Sequence, residues 1–246
     1  MTSRGVRSSR GAEEEESYFI SMADMMVGLL FIFIILLLYF ALQLEQKSRA
    51  LSDAGETRAQ ILRELKRDLA NHNLNVEIDT VTGVLRLPAA ILFAKGNYRL
   101  SNAGQQAVAT IAQSMADVLP CYTYPRRKIG CQKTQHSIDA IFIEGHTDSD
   151  PLAGVGPISD NMDLSALRAT NTFRAMEQTV ASLADLHNRD NKPILSVSGY
   201  GSDRPVPGNR STDEASKSRN RRIDLRFLME TPKVEGIAAL LTGKDK

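Results

Sequence analysis

An uninterrupted apolar run near the N-terminus constrains this chain more than any other feature. From Met25 to Leu42 there are 18 residues without a charged side chain, and as a helix they would extend about 27 Å. Including residues 18–20 brings the run to the ~30 Å thickness of a bilayer's hydrocarbon core. A secretory signal has a shorter apolar core and small residues at its cleavage site, whereas polar residues begin here at Gln43. We therefore expect an uncleaved single-pass anchor over residues 18–42.

The charges that flank the run do not settle its orientation. Three arginines precede it but are diluted by Glu13–Glu16, and six basic residues follow it within residues 47–67. Counted directly, these would place the C-terminal side in the cytoplasm. Long domains, however, cross membranes largely regardless of their charge. The orientation must therefore be inferred from the domain that follows.

Around the run the chain divides into segments of different composition. We expect a polar, disordered tail over residues 1–17, a helical neck over residues 43–73, a domain over residues 74–230 and a second tail over residues 231–246.

The neck contains two series of residues that recur every seven positions. The first is Leu44, Leu51, Arg58 and Leu65, and the second is Gly55, Leu62 and Leu69. The spacing is typical of a parallel two-helix coiled coil, although an arginine and a glycine interrupt it. The alternative is an amphipathic linker that packs on the next domain. The repeat slightly favours the dimeric neck, which should end at the poor helix formers Asn71–Asn73.

From Val76 onward the pattern becomes mixed. Two short strands are predicted around a Thr82-Gly83 turn. The further predicted elements are a helix beginning at Ser101 or Asn102, a strand over residues 137–145, a helix over 164–188, a strand over 194–201 and a closing strand over 221–229. This β-α-β-α-β order predicts an α+β fold, with helices covering one face of a small mixed sheet.

The two cysteines, Cys121 and Cys131, are ten positions apart around a loop that contains proline and glycine. A disulfide in an oxidising compartment suits this spacing and would contribute about 2–3 kcal/mol. A zinc pair is disfavoured because no second Cys or His pair lies nearby at ligand spacing. Free thiols remain a third alternative.

The net charge and the spacing of the polar residues disfavour several classes of function. The formal net charge is +1, and a basic patch at residues 219–222 has no aromatic stacking platform beside it, so we expect no nucleic acid partner. His146, Asp148 and Asp150 are spaced like metal ligands but lie on one turn without a partner element. No catalytic set such as GxSxG or a phosphate loop occurs. We expect a protein that is not an enzyme and holds no metal.

A series of motifs identifies a family resemblance in the domain. They are "IEGHTDSD" (Ile143–Asp150), "NMDLSALRA" (Asn161–Ala169), "VSGYGSDRPV" (Val197–Val206), Asn209 and "SRNRRIDLRF" (Ser218–Phe227). Together they closely resemble the OmpA-like peptidoglycan-binding domain shared by OmpA, Pal and MotB, over about residues 84–229. Two segments look like additions to the family core, one within residues 150–160 and one between the cysteines. Both could reshape the rim of a binding cleft.

The resemblance implies a site for the diaminopimelate residue of the peptidoglycan stem peptide, whose side chain ends in an ammonium and a carboxylate. Asp148, in the turn after a strand, would take the ammonium, and Arg168, on the next helix, would grip the carboxylate bidentately. By resemblance, Asn161, Asn220 and Arg222 line or brace the same cleft. The alternative is that Asp148 caps the following helix and Arg168 is a surface residue of it.

One carboxylate, Asp24, lies at the edge of the apolar run and has two explanations. In the first, Ser21 is the N-cap of the helix and Asp24 completes a capping box near the positive end of the helix dipole. In the second, residues 18–20 are helical too and Asp24 lies partly in the bilayer. An aspartate at the helix centre costs about 2.5–3.5 kcal/mol to insert, so an intramembrane carboxylate is a candidate for function.

The stretch "ISMADMM" (Ile20–Met26) resembles the membrane entry of the stator proteins MotB, ExbD and TolR, in which one early aspartate binds and releases H⁺ or Na⁺. The resemblance implies that Asp24 carries such an ion, with no other cofactor. It also implies a bacterial inner-membrane protein with a cytoplasmic N-terminus and a periplasmic C-terminal domain.

The same resemblance implies partners. Two copies of this chain would stand as a homodimer inside a ring of five copies of a multi-helix MotA-like or ZorA-like subunit. The compact neck and short length look most similar to ZorB, the MotB-like subunit of Zorya anti-phage defence systems. A flagellar MotB-like stator subunit and a passive OmpA/Pal-like cell-wall anchor are the alternatives.

Overall fold

The computed structural model describes residues 9–125, 130–131, 136–152, 154, 156–210 and 212–231, with side chains from residue 18 onward. The described part of the chain divides into two units, one within residues 9–50 and one within residues 51–231. The described part of the first unit is helical, and the second unit is an α+β domain.

The first helix, α1, runs without interruption over Ser9–Asn71. Its start corrects the expected disordered tail, because residues 9–17 are helical; Glu13–Glu16 are good helix formers. Residues 1–8 lie outside the described part of the chain. The helix ends where it was predicted to end, and Asn73 follows with a φ of 60°, the left-handed conformation that terminates many helices.

A five-stranded sheet forms the centre of the domain, in the order β1-β2-β5-β3-β4. Its strands are β1 (Glu77–Asp79), β2 (Val84–Pro88), β3 (Ile138–His146), β4 (Leu195–Gly199) and β5 (Arg222–Met229). β3 and β4 are parallel, and the other neighbouring pairs are antiparallel. Gly83, with a φ of 76°, allows the tight predicted turn between β1 and β2. The predicted strands are thus confirmed.

The described residues of the domain form four shorter α-helices. They are α2 (Ala89–Leu92), α3 (Asn102–Val118), α4 (Asn161–Thr179) and α5 (Glu214–Asn220). α3 begins as predicted, because the Ser101 hydroxyl accepts a hydrogen bond from the Gly104 amide at 2.9 Å. α2 and α5 were not predicted, since four and seven residues are too few to show a helical period.

The second predicted long helix is shorter at its C-terminal end than expected. α4 ends at Thr179 and not near residue 188, and a 3₁₀ turn over Ala181–Leu183 follows it. Val180 leaves the helical conformation, with φ −132° and ψ 85°. Two consecutive β-branched residues, Thr179 and Val180, weaken the helix there because they lose rotamer freedom in it.

The C-terminal part of α1 belongs to the hydrophobic core of the domain. Four of its residues are at most 1% exposed and pack in one cluster with residues of the sheet, α3 and α4: Ile61, Leu62, Leu65 and Leu69. Leu44 and Leu51, by contrast, are 71% and 59% exposed. Residues 54–69 therefore behave as the amphipathic linker that was the alternative to the dimeric neck, because their apolar side packs on this chain's own domain. The dimer remains a prediction.

Cys121 and Cys131 are joined by a disulfide with an S–S distance of 2.07 Å. Cys121 ends a 3₁₀ turn over Leu119–Cys121 that directly follows α3. Residues 126–129 of the closed loop lie outside the described part of the chain.

Candidate functional site

Asp24 lies in the interior of α1. Because the helix begins at Ser9, Ser21 is itself inside it and is not an N-cap, so the capping-box explanation is wrong. Asp24 is instead a carboxylate within the one described helix that is long and apolar enough to cross a membrane. Every side chain from Tyr18 to Leu38 is exposed in the single chain. This apolar surface requires lipid or other protein around it.

A pocket of about 260 Å³ lies where the carboxyl end of β3 meets the first turns of α4. In a parallel β-α-β unit, the end of the first strand and the start of the crossover helix lie at the same edge of the sheet. α4 approaches β3 closely because Gly145 has no side chain; a Cβ there would lie 2.0 Å from the Ser165 carbonyl oxygen. The charged and amide side chains that line the pocket are Lys95, Asp148, Asp150, Asn161, Arg168 and Arg221.

Asp148 presents its carboxylate in this pocket. One oxygen, Oδ2, accepts a hydrogen bond from Arg221 Nη1 at 2.6 Å, and the other accepts one from the Asp150 amide at 3.2 Å. The alternative role of a helix cap does not apply, because the cap of α4 is Asp160. The Asp148 side chain keeps 12% of its surface exposed, which leaves it accessible to a cationic group.

Arg168 is buried at 3% exposure and is not a surface residue. Its Nε donates to the Asn97 carbonyl oxygen at 2.8 Å, and its guanidinium lies 5.1 Å from the Phe93 ring centroid. Burial lowers the pKa of Arg168 to about 10, while the charge of Asp148 opposes that shift. The guanidinium therefore stays cationic at neutral pH. Among the described residues, Nε is its one atom with a hydrogen-bond partner, so both Nη groups can serve a ligand.

Asn161 contacts the start of the segment that was expected to be an addition to the family core. Its Nδ2 donates to the carbonyl oxygens of Asp150 at 2.8 Å and Asp148 at 3.4 Å. Pro151 and Leu152, from the same segment, form an apolar part of the pocket wall. Residues 150–152 thus contribute to the pocket rim, whereas neither cysteine is among the described residues that line it.

Asn220 and Arg222 lie outside the pocket lining. Asn220 holds the preceding loop, since its Oδ1 accepts from the Val206 amide at 2.9 Å and its Nδ2 donates to the Asn209 carbonyl oxygen at 2.8 Å. Arg222 is buried and donates to the Arg204 carbonyl oxygen at 3.0 Å. The structure thus brings Asp148, Asn161 and Arg168 together, and places these other two residues as braces of the neighbouring loop.

The sequence reasoning missed two cationic residues of the pocket, Lys95 and Arg221, and of these Arg221 contacts Asp148. It follows α5 and precedes β5, and its guanidinium bridges Asp148 and Glu214. In the sequence it stood only as one member of a basic patch. The available signal was its place in the "NRR" motif, where two adjacent arginines at the start of a strand must point to opposite sides.

A second group of charged residues lies buried within the sheet. Glu144, His146 and Asp224 bring possible metal-ligand atoms within 4.8 Å of one another. However, both oxygens of Glu144 accept from Arg226, at 2.8 and 2.9 Å, and Asp224 accepts from Arg222 at 2.9 Å. A divalent cation would have to displace these arginines, so the group is better explained as an internal ion-pair network.

Burial and the neighbouring charges together set the protonation of this network. Desolvation opposes ionisation of Glu144, but the neighbouring His146 ring and Arg226 guanidinium outweigh it and lower the pKa of Glu144 to about 2. Burial lowers the pKa of His146, whose ring stacks on Tyr200 with 5.3 Å between centroids. His146 is therefore neutral in the folded domain at neutral pH.

No protein-family model matches the chain, and no curated protein matches it in sequence. Its structure is similar to that of a protein from Desulfovibrio vulgaris described as MotB-like, with 22% identity, a TM-score of 0.51, and coverage of 75% of this chain and 97% of the other. The periplasmic domain of Helicobacter pylori MotB is 19% identical, with a TM-score of 0.42 and coverage of 65% and 79%. The cell wall anchor of the T6SS from Pseudomonas aeruginosa is 18% identical, with a TM-score of 0.47 and coverage of 72% and 99%.

At these identities the likeness concerns the fold, and the first of the three similarities establishes it. The C-terminal domain has the mixed α+β fold of MotB/OmpA-like domains. The predicted fold class is confirmed.

Proposed function

We propose that this chain is a peptidoglycan-anchored stator subunit of an ion-driven complex in the bacterial inner membrane. One observation carries the proposal. A single polypeptide combines a carboxylate inside a membrane-length apolar helix with a MotB/OmpA-like domain whose pocket presents a carboxylate and a buried guanidinium. The fold similarity to a MotB-like protein supports the combination.

In the anchoring part of this proposal, the pocket binds the zwitterionic end of diaminopimelate. Asp148 takes the ammonium, and Arg168, with Asn161 beside it, takes the carboxylate. In the absence of ligand, Arg221 Nη1 donates to Asp148 Oδ2 at 2.6 Å and so fixes the orientation of that carboxylate. When the ligand binds, its ammonium also contacts Asp148. Its carboxylate then accepts hydrogen bonds from Arg168 and Arg221.

In the motor part of the proposal, Asp24 binds and releases H⁺ or Na⁺. A single helix cannot form an ion pathway, so a multi-helix partner of the MotA or ZorA type is required. By the same resemblance, five copies of that partner surround two copies of this chain. Each charge that crosses the full membrane potential releases about 2.3 kcal/mol per 100 mV. The wall anchor holds the complex still while this energy drives movement in the partner ring.

The biological role that we propose is anti-phage defence of the Zorya type, with a periplasmic domain and a cytoplasmic N-terminus. The sequence motifs and the short connection between the apolar run and the domain support it. In this structure that connection is shorter still, because α1 is already part of the domain core by Ile61. A flagellar stator remains the second candidate, favoured by the MotB-like fold.

Phage plating on cells that carry the intact operon tests the proposal, with wild type compared to Asp24→Asn at equal membrane levels. Protection should be lost with the uncharged variant and kept with the matched control Met22→Leu. If wild type and Asp24→Asn protect equally, the chain is a passive anchor. If wild type does not protect, the defence role is wrong and motility is the next assay.

A further inference from the structure

His146 is a buried side chain that the proposed function does not use. It is 1% exposed, and neither of its ring nitrogens has a hydrogen-bond partner among the described residues. Buried polar groups in folded proteins are nearly always hydrogen-bonded, so two such atoms on one ring require an explanation. We propose that His146 is a positioning residue that makes ligand binding at Asp148 depend on pH. The inference rests on the proposed anchoring function and adds a form of regulation to the same site.

Two carboxylates lie just beyond hydrogen-bond distance of the ring. Nε2 of His146 is 3.8 Å from Glu144 Oε2 and 3.8 Å from Asp224 Oδ2. Both oxygens already accept hydrogen bonds from arginines: Oε2 accepts from Arg226 at 2.9 Å, and Oδ2 accepts from Arg222 at 2.9 Å. A protonated imidazole donates from both ring nitrogens. When His146 takes up a proton, Nε2 therefore competes with the two arginines for these oxygens.

The charge around the ring is already positive before His146 is protonated. Among the described residues, the titratable and charged groups that face the ring or pair with its neighbours are Glu144 on β3, Asp224, Arg222 and Arg226 on β5, Arg86 on β2, and Tyr200 and Arg204 in the loop after β4. Burial and the charge of Arg222 lower the pKa of His146, although Glu144 and Asp224 oppose that shift. A proton that binds to the ring adds to the excess of positive charge, so the neighbouring arginines must move to accommodate it.

The start of β5 connects the ring to the pocket. His146 is paired with Arg222 in the register of β3 and β5. The residue before this arginine, Arg221, donates to Asp148 at 2.6 Å. Asp148 itself lies two residues after His146 in the chain. Displacement of Arg222 by a protonated ring therefore shifts the backbone that carries Arg221, and with it the orientation of the Asp148 carboxylate.

This arrangement gives the pH effect a definite sign. The pocket with neutral His146 is the state that binds the ligand, so the ligand-bound domain binds a proton at this ring less readily than the free domain does. By linkage, the affinity for the ligand falls as the pH falls and the ring takes up a proton. A difference of one pKa unit between the two states corresponds to a change in affinity of up to about tenfold.

Calorimetric titration of the detergent-solubilised full-length chain with meso-diaminopimelate, at a series of pH values, tests the inference. Between about pH 7 and about pH 5 the ordinary carboxylates, lysines and arginines stay largely charged, so histidines are the side chains that titrate. Wild type should bind roughly three- to tenfold more weakly at the acid end of this range. A thermal melt at each pH checks that the domain is folded.

His146→Gln should change its affinity by less than about twofold over the same range, because glutamine does not titrate. His72→Gln is the control and should keep the wild-type pH profile, since it removes an exposed histidine that follows α1. His146→Phe, which keeps a ring stacked on Tyr200, serves as the second variant if glutamine prevents folding.

A purely structural role for His146 would weaken binding in these variants by the same factor at every pH and leave the profile unchanged. That result, or a wild-type affinity that stays constant over the range, would overturn the inference while anchoring through Asp148 stands. If wild type does not bind meso-diaminopimelate even at neutral pH, the anchoring proposal fails and this inference fails with it.

Discussion

Replacing Arg168 with lysine tests whether a planar guanidinium is the carboxylate receptor. Lysine keeps the positive charge but cannot donate from Nε to the Asn97 carbonyl oxygen at 2.8 Å while presenting two further donors to a ligand. A hydrogen bond from a charged group is worth about 1.5–3 kcal/mol. The loss of one such bond to the protein or to the ligand should weaken binding of meso-diaminopimelate roughly ten- to hundredfold.

Calorimetric titration of the full-length chain measures this change, and a thermal melt of the same sample checks that the domain is folded. Arg174→Lys is the matched control, because that arginine lies on the same helix outside the Asp148 pocket. If Arg168→Lys binds meso-diaminopimelate as tightly as wild type, the guanidinium does not grip the ligand and the assigned role of Arg168 is wrong.

Two further predictions concern stability, measured by denaturant or thermal unfolding of the full-length chain. Leu65→Ala should lower the free energy of unfolding by about 2–5 kcal/mol because Leu65 is in the domain core. Leu51→Ala, at an exposed position, should lower it by less than about 0.5 kcal/mol. Equal effects would contradict the assignment of this part of α1 to the domain. Acid should destabilise the domain in two steps. The neutral state of buried His146 contributes stability above about pH 6.5 that is lost as the pH falls below it, because the unfolded chain then binds the proton more readily. The ionised state of Glu144 contributes about 3 kcal/mol above its ordinary pKa of 4.5, and this is lost as the pH falls towards 2. A melting temperature that does not change between pH 7 and pH 4 would refute this account of the buried network.

Local signals in the sequence were sufficient for most of the domain. Alternation located β3, β4 and β5, Gly83 marked the first turn, and Ser101 marked the start of α3. These features depend on residues close together in the chain. α4 was predicted too long because the composition after Val180 remains compatible with a helix, and the two β-branched residues Thr179 and Val180 at its end were given too little weight.

Features that depend on distant partners were not readable in the same way. The spacing of Leu62, Leu65 and Leu69 suits a sister helix as well as this chain's own sheet, and only the folded domain shows which one buries them. Likewise, the sequence does not show which of two adjacent arginines enters the pocket. Arg221 does so, whereas Arg222 joins the buried network.

The site prediction shows the same limit. Asp148 and Arg168 were chosen by resemblance to a family, and the structure brings both into one pocket.

Sedimentation of the chain with diaminopimelate-type cell-wall sacculi tests the central claim most directly, with wild type, Asp148→Asn and Asp24→Asn compared side by side. Wild type and Asp24→Asn should pellet with the sacculi, because the proposed function gives Asp24 no part in anchoring. Asp148→Asn should remain in the supernatant, because it lacks the charge that receives the ligand's ammonium. If Asp148→Asn pellets as well as wild type does, this pocket is not the peptidoglycan anchor and the account is contradicted.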